Sequence, residues 1–347
     1  METSLKDTKR RLVEQMLDFL WRQWSAIGLA GHAEIEDHWV IDPEALLLVS
    51  SEFARHDARL FGEILDWLDT NGNLINLKRV FNIRKQYPLG NPLVMKAIAR
   101  KLCKNSTFIK WKTVSDKSLH TVTHGDAQQP LDGLIDLFPK LPFTTDALPT
   151  CDEDFRATGI YSPRAELRGM SQPLSPHAAT NLIFKMRALF GCNSRAEIMA
   201  WLLTHRSGHP AQIARDIHYF SKSIQSTLNE MATSGLIIAN RSNREKHFRI
   251  TPSDWPAFYG NHHQAGNPPK WQPWPEIFTT IQLYYQTLNQ QGLDSSSELF
   301  QAAMLKETMD AFPYTKNYLT TESTSGTDYL HTLLKDFQSL LAELTPG

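Results

Sequence analysis

Two amides four residues apart, Gln225 and Asn229, stand in a run of small polar side chains with Lys222, Ser223 and Ser226. An amide can pair bidentately with adenine N6 and N7, and a serine hydroxyl can reach either kind of base edge. Residues four apart share a helical face, so this chemistry requires a helix at that position. Further along, Arg241, Asn243, Arg244, Lys246 and His247 crowd a polar stretch. Long cations of this kind suit phosphate oxygens or the minor groove. A third set, Lys96, Arg100 and Lys101, falls at helical spacing, with Lys110 and Lys112 beyond it. It is a candidate second region for phosphate contact.

The elements that would position these groups can be read from residues 194–252. Ser194 and Glu197 form a capping-box pattern that opens a helix to about His205, with Ile198, Trp201 and Leu202 inward. Gly208 breaks the chain, and Pro210 starts a short helix carrying Ile213, Ala214 and Ile217. Residues 218–220 make a tight turn. Ser221 is expected to cap the next helix, over 222–233, with Ile224, Leu228 and Met231 inward and the amides outward. Gly235 ends it. Strands are expected at 236–239 and 246–251, joined by a polar loop over 240–245.

Helix, short helix, turn, helix, glycine and hairpin is the order of a winged helix-turn-helix. Two helices joined by a three- or four-residue turn hold the second clear of the body, where it fits the roughly 12 Å major groove. The string SGHPAQIARDIHYFSKSIQSTLNEMATSGLIIANRSNREKHFRI, within residues 180–252, resembles the DNA-binding core of winged-helix transcriptional regulators of the ArsR/MarR kind. The matching features are "IA" in the short helix, "SKSIQSTLNEM" as the recognition helix and "SGLI" before the wing. The resemblance implies a sequence-specific, double-stranded-DNA-binding transcriptional regulator. One small recognition helix reads few base pairs, so a homodimer on a palindromic operator is expected.

Charge distribution supports an anionic partner. The chain has 347 residues and a net charge of −1, but residues 73–117 carry +10 and residues 181–252 carry +6. Acidic stretches lie between and around these blocks. The alternative to phosphate contact is pairing of the basic blocks with those acidic stretches. A different functional class also fits: an antitoxin or defence-system subunit whose acidic helical flanks grip a protein partner.

Other chemistry finds little support. His32, Glu34, Glu36, Asp37 and His38 crowd together, but their spacing is not that of a metal-binding helix, and a solvated loop is expected. No Gly-rich phosphate loop, nucleophile elbow or paired carboxylate constellation occurs, so no catalytic residue, cofactor or metal is expected and the chain reads as a non-enzyme. The three cysteines, Cys103, Cys151 and Cys192, are odd in number and far apart. With no secretion-type leader and no apolar run near 20 residues, a cytoplasmic chain with no membrane contact is expected.

The fold class expected is mainly α, with a central winged helix-turn-helix flanked by helical regions. Residues 1–117 read as a helical N-terminal domain with a basic second half, itself suggestive of a degenerate winged helix. Helices are expected at 5–28, after the Asp42-Pro43 cap, at 58–70, 77–81 and 92–103, and a strand at 107–114. Seven prolines mark 118–179 as a linker or irregular subdomain. Residues 180–260 are the winged helix-turn-helix. Residues 261–347 are a helical C-terminal region, with helices near 276–291, 295–311 and 327–343 and a capping box from Ser295 to Glu298.

Overall fold

Helical periodicity governs most of the chain, and the computed structural model is mainly α-helical. It describes residues 5–31, 38–116, 134–139, 150–175, 177–205, 207–242, 245–251, 254–255, 258, 269–318 and 326–344. Helix α1 (Leu5–Ala26) buries Leu12, Met16, Phe19, Leu20 and Trp24 along one stripe. Asp42 caps α2 (Pro43–Phe53), accepting from the Ala45 amide at 3.0 Å. Every residue of α2 is buried, the polar Glu44, Ser50, Ser51 and Glu52 included. Helices α3 (Ala58–Asn71), α4 (Leu77–Gln86) and α5 (Pro92–Leu102) start at Asp57, Asn76 and Asn91, whose side chains accept from the first free amides.

The strand expected at 107–114 is not formed. Asn105 accepts from the Thr107 amide, a 3-10 turn runs from Ser106 to Trp111, and α6 (Lys112–Asp116) follows. Phe108, Trp111 and Val114 are the buried residues, three apart, so the true period is helical. Beyond it, β1 (Ile135–Asp136) pairs in parallel with β2 (Ile160–Tyr161), flanking α7 (Glu153–Arg156). The segment after β2 is strapped across α3 by Asp66, which accepts from the amides of Gly169, Met170 and Ser171 at 2.6–3.1 Å.

The next elements are α8 (Leu182–Phe190), α9 (Ser194–Thr204), α10 (Pro210–Asp216), α11 (Ser221–Thr233), β3 (Ile238–Ser242) and β4 (Glu245–Arg249). Three cap assignments differ from expectation by one or two residues. Asn193, not Ser194, accepts from the Arg195 amide, so Glu197 moves into the helix body and is buried. Phe220 precedes α11 and supplies no side-chain cap, and Ser221 is already helical. Helix α13 is capped by Ser297, not Ser295. The hairpin is shifted toward its tip relative to the expected strands at 236–239 and 246–251: β3 starts at Ile238 and reaches Ser242, β4 ends at Arg249, and the two pair antiparallel, Ile238 opposite Arg249 and Ser242 opposite Glu245.

The chain closes with α12 (Trp274–Leu288), α13 (Glu298–Asp310) and α14 (Thr327–Leu344). These share one hydrophobic core with α1–α5, so the two ends of the sequence are built around the same interior. Trp274 stacks on Phe278 and donates to the Val40 carbonyl at 2.8 Å, which draws the start of α12 into that core. A second core lies under α8–α11 and the hairpin, with Trp201, Ile213, Ile224, Leu228 and Phe248 at its centre. Among the described residues, no helix is long and apolar enough to cross a membrane.

Candidate nucleic-acid interface

Trp201 on α9 is fully buried, and its indole donates to Asp216 at 3.1 Å. Its ring lies so close to Gly208 that a Cβ there would sit 2.4 Å from it. Only glycine lets the backbone pass, and that passage allows Gly208 and Phe248 to exchange both backbone hydrogen bonds at 2.9 Å. The hairpin is thereby bonded to the chain between α9 and α10. The turn between α10 and α11 contains His218, at φ 59° the one non-glycine residue with a positive φ among the described residues. Burial, with Arg79 nearby, pushes its imidazole down to about 3, so the ring is neutral near pH 7 and pairs through Nδ1 with Gln86 at 3.1 Å.

Helix α11 divides cleanly. Ile224, Thr227, Leu228 and Met231 are buried, whereas Lys222, Ser223, Gln225 and Ser226 are exposed. Asn229 is half-buried, and its Oδ1 accepts from Lys246 Nζ at 2.6 Å. These two expected contact residues are therefore engaged with one another, tying the helix to β4. Glu230 shares the outward face, but it is paired with Arg195 at 2.7 Å. Phe220, 65% exposed at the start of α11, was not singled out by sequence reasoning. An exposed aromatic immediately before a polar helix was its available signal.

On the hairpin, Arg241 lies directly opposite Lys246, and Asn240 opposite His247. Like charges facing one another across a strand pair are unfavourable unless something else binds them. Arg241 is exposed, and His247 lies 3.3 Å from Glu245. Asn243 and Arg244 lie outside the described residues. So do His32, Glu34, Glu36 and Asp37. Among the described residues, no group of His, Cys, Asp and Glu is arranged to hold a metal ion.

The α5 cations are placed elsewhere. Helix α5 packs on α2, α3, α6 and α7. Lys101 is held by Asp152 at 2.7 Å, and neighbouring Lys104 by Asp154 at 2.7 Å. The acidic run at 152–154 thus neutralises part of the basic block from within the same chain. Lys96 and Arg100 are half-buried, with Arg100 Nε wholly so.

Between the two cores lies a buried ionic network that the sequence did not reveal. Arg79 on α4 bonds both oxygens of Asp42 at 2.5 Å, Glu44 at 2.7 Å and the Ile217 carbonyl at 3.1 Å. Arg187 on α8 bonds both oxygens of Glu44 at 2.8 Å and Glu197 at 2.5 Å. Burial pushes the Asp42 carboxyl up, but the adjacent Arg79 guanidinium overrides this and holds it below its ordinary value. Burial pushes Glu197 up and prevails, and Glu197 Oε2 has no hydrogen-bond partner among the described residues. Two guanidinium groups thus face three carboxyl groups in this network. The network fastens α8, α9 and the turn before α11 onto α2 and α4.

Comparison of the chain with protein-family models, with curated proteins and with solved structures gives no match.

Proposed function

We propose that residues 180–260 form a winged helix-turn-helix, and that the chain is a sequence-specific double-stranded-DNA-binding transcriptional regulator acting as a homodimer. The observation that carries this reading is the outward face of α11. Lys222, Ser223, Gln225 and Ser226 are all exposed on it, while its opposite face is committed to the core. A helix presented this way can place small polar side chains against base edges. The hairpin beside it, with Arg241 facing Lys246, has the charge to hold phosphates and fix the register of the helix.

The roles then separate. Gln225 reads a base, with adenine the natural partner of its amide. Exposed Phe220 can lie against a thymine methyl at the leading end of the helix. Arg241 and Lys222 bind phosphate. Asn229 and Lys246 couple helix and hairpin through their mutual hydrogen bond. The experiment is selection of bound duplexes from a random-sequence library, followed by affinity measurement over a salt series. An inverted repeat whose half-sites are one helical turn apart, or a multiple of that, with affinity falling steeply in salt, is the expected result. Failure to enrich any sequence, with no retention of duplex at low salt, would overturn the reading.

A further inference from the structure

The cations of residues 73–117 do not form one surface patch. Arg79 is buried in the ionic network, and Arg84 turns to the carbonyls of Leu89 and Gly90. Lys101 and Lys104 are spent on Asp152 and Asp154, and Lys110 donates to the carbonyls of Asn73 and Ile75. Lys78 and Lys85 differ. Both lie on α4, both are exposed, and neither has an ion pair or hydrogen bond among the described residues. Seven residues apart, they lie on one edge of the helix, about 10.5 Å along its axis.

That edge borders the turn leading into α11. Asn82 donates to the His218 carbonyl at 2.9 Å, and Arg79 Nε to the Ile217 carbonyl at 3.1 Å. Asn76 donates to the Tyr219 hydroxyl at 2.6 Å, and the Lys78 ammonium lies 5.9 Å from the centroid of the Tyr219 ring. The next residues are Phe220 and Ser221, where α11 begins. In helix-turn-helix docking, the N-terminal residues of the recognition helix meet the bases, so the phosphates bordering the groove lie beside this turn. An exposed ammonium on a flexible stem is suited to that position, acting as a point charge with little desolvation cost.

We propose that α4 is part of the DNA-binding surface, with Lys78 and Lys85 contacting the phosphate backbone beside the groove that receives α11. This rests on the DNA-binding reading above. The α4 cations lie outside the winged unit, yet are registered to it by the buried network around Arg79. The N-terminal region therefore extends the footprint through α4, and not through α5.

The test uses the full chain carrying Lys78→Ala with Lys85→Ala, against wild type, Arg241→Ala and Lys96→Ala. Affinities for a selected and a random duplex are measured over a salt series. Each lost phosphate contact lowers the slope of log affinity against log salt by about 0.9, so the double variant should lose about 1.8 on both duplexes alike. Lys96→Ala should leave the slope unchanged. Exposed lysines are chosen so that folding is preserved, and an unaltered unfolding midpoint verifies this. If Arg241→Ala lowers the slope while the double variant keeps the wild-type value, the α4 proposal is overturned and the DNA-binding reading stands. If the wild type retains no duplex at low salt, the DNA-binding reading fails and the proposal with it.

Discussion

Replacing Arg79 with methionine keeps the apolar stem of the side chain and removes its charge from a site with no solvent exposure. Asp42 would lose both of its guanidinium bonds, and Glu44 would keep Arg187 and the Asn76 amide but lose one cation. Removing one partner from a buried ion pair costs about 3–5 kcal/mol, because the remaining charge stays desolvated. A domain's net stability is about 5–15 kcal/mol, so this one change takes a large part of it. With a urea slope of about 3 kcal/mol/M, the midpoint should fall by about 1–1.7 M. The pH dependence is equally specific. In the wild type, Asp42 is held below its ordinary value, so its contribution is complete above about pH 3.9 and is lost as pH falls through the folded value. Without Arg79, burial is the largest influence left on Asp42, opposed by the Ala45 amide and His218, and should raise it above about 3.9. The folded variant then binds more protons than its unfolded chain, and its stability falls as pH rises through that raised value. The stability gap between variant and wild type should therefore narrow on acidification from pH 7 towards pH 5. A gap below about 1 kcal/mol at pH 7, or one that does not change with pH, would refute this account of the network.

Three further outcomes follow from the same geometry. Gln225→Ala should reduce discrimination at one base pair by about 1–3 kcal/mol while random-duplex binding stays nearly constant; Asn229→Ala, which frees Lys246, should instead change affinity on every sequence alike. Gel-shift titration on matched and mismatched duplexes separates these two patterns, and equal discrimination by wild type and Gln225→Ala counts against base contact by that amide. Gly208→Ala forces a Cβ into the Trp201 ring and should cost about 1–3 kcal/mol, with loss of hydrogen-exchange protection at the Phe248 amide; unchanged protection would contradict the role given to that close approach. Glu197→Gln should cost less than Glu44→Gln, because Glu197 bonds Arg187 alone and its Oε2 is unbonded among the described residues, whereas Glu44→Gln disturbs bonds from both arginines and should cost about 3–5 kcal/mol. Urea unfolding of the two variants tests that order, and equal losses would refute it.

Much of the local structure is written in the sequence. Asp42-Pro43 opens a capped helix, and the three- and four-residue spacing of Leu12, Met16, Phe19 and Leu20 sets the buried stripe of α1. The inward and outward faces of α11 follow in the same way, because capping and helical periodicity depend on residues within one or two turns of each other. Where two local patterns competed, the sequence was ambiguous. Lys110 and Lys112 suggest alternation, but Phe108, Trp111 and Val114 were drawn to the core at a spacing of three. Neighbouring residues decide only by margins that core packing readily overrides.

What the tertiary structure alone decided is where each charge went. The eleven Lys and Arg of residues 73–117 look alike in sequence. Asp152 and Asp154 claim Lys101 and Lys104, the core takes Arg79, and Lys78 and Lys85 remain at the edge of the turn before α11. Arg187 bonds both Glu197, ten residues on, and Glu44, 143 residues back. Coulomb attraction depends on distance in space and on the surrounding dielectric, and neither is a property of sequence separation. The residue types are therefore fixed locally, whereas their roles as buried clamp, internal counter-ion or exposed contact are assigned only when the distant segments pack.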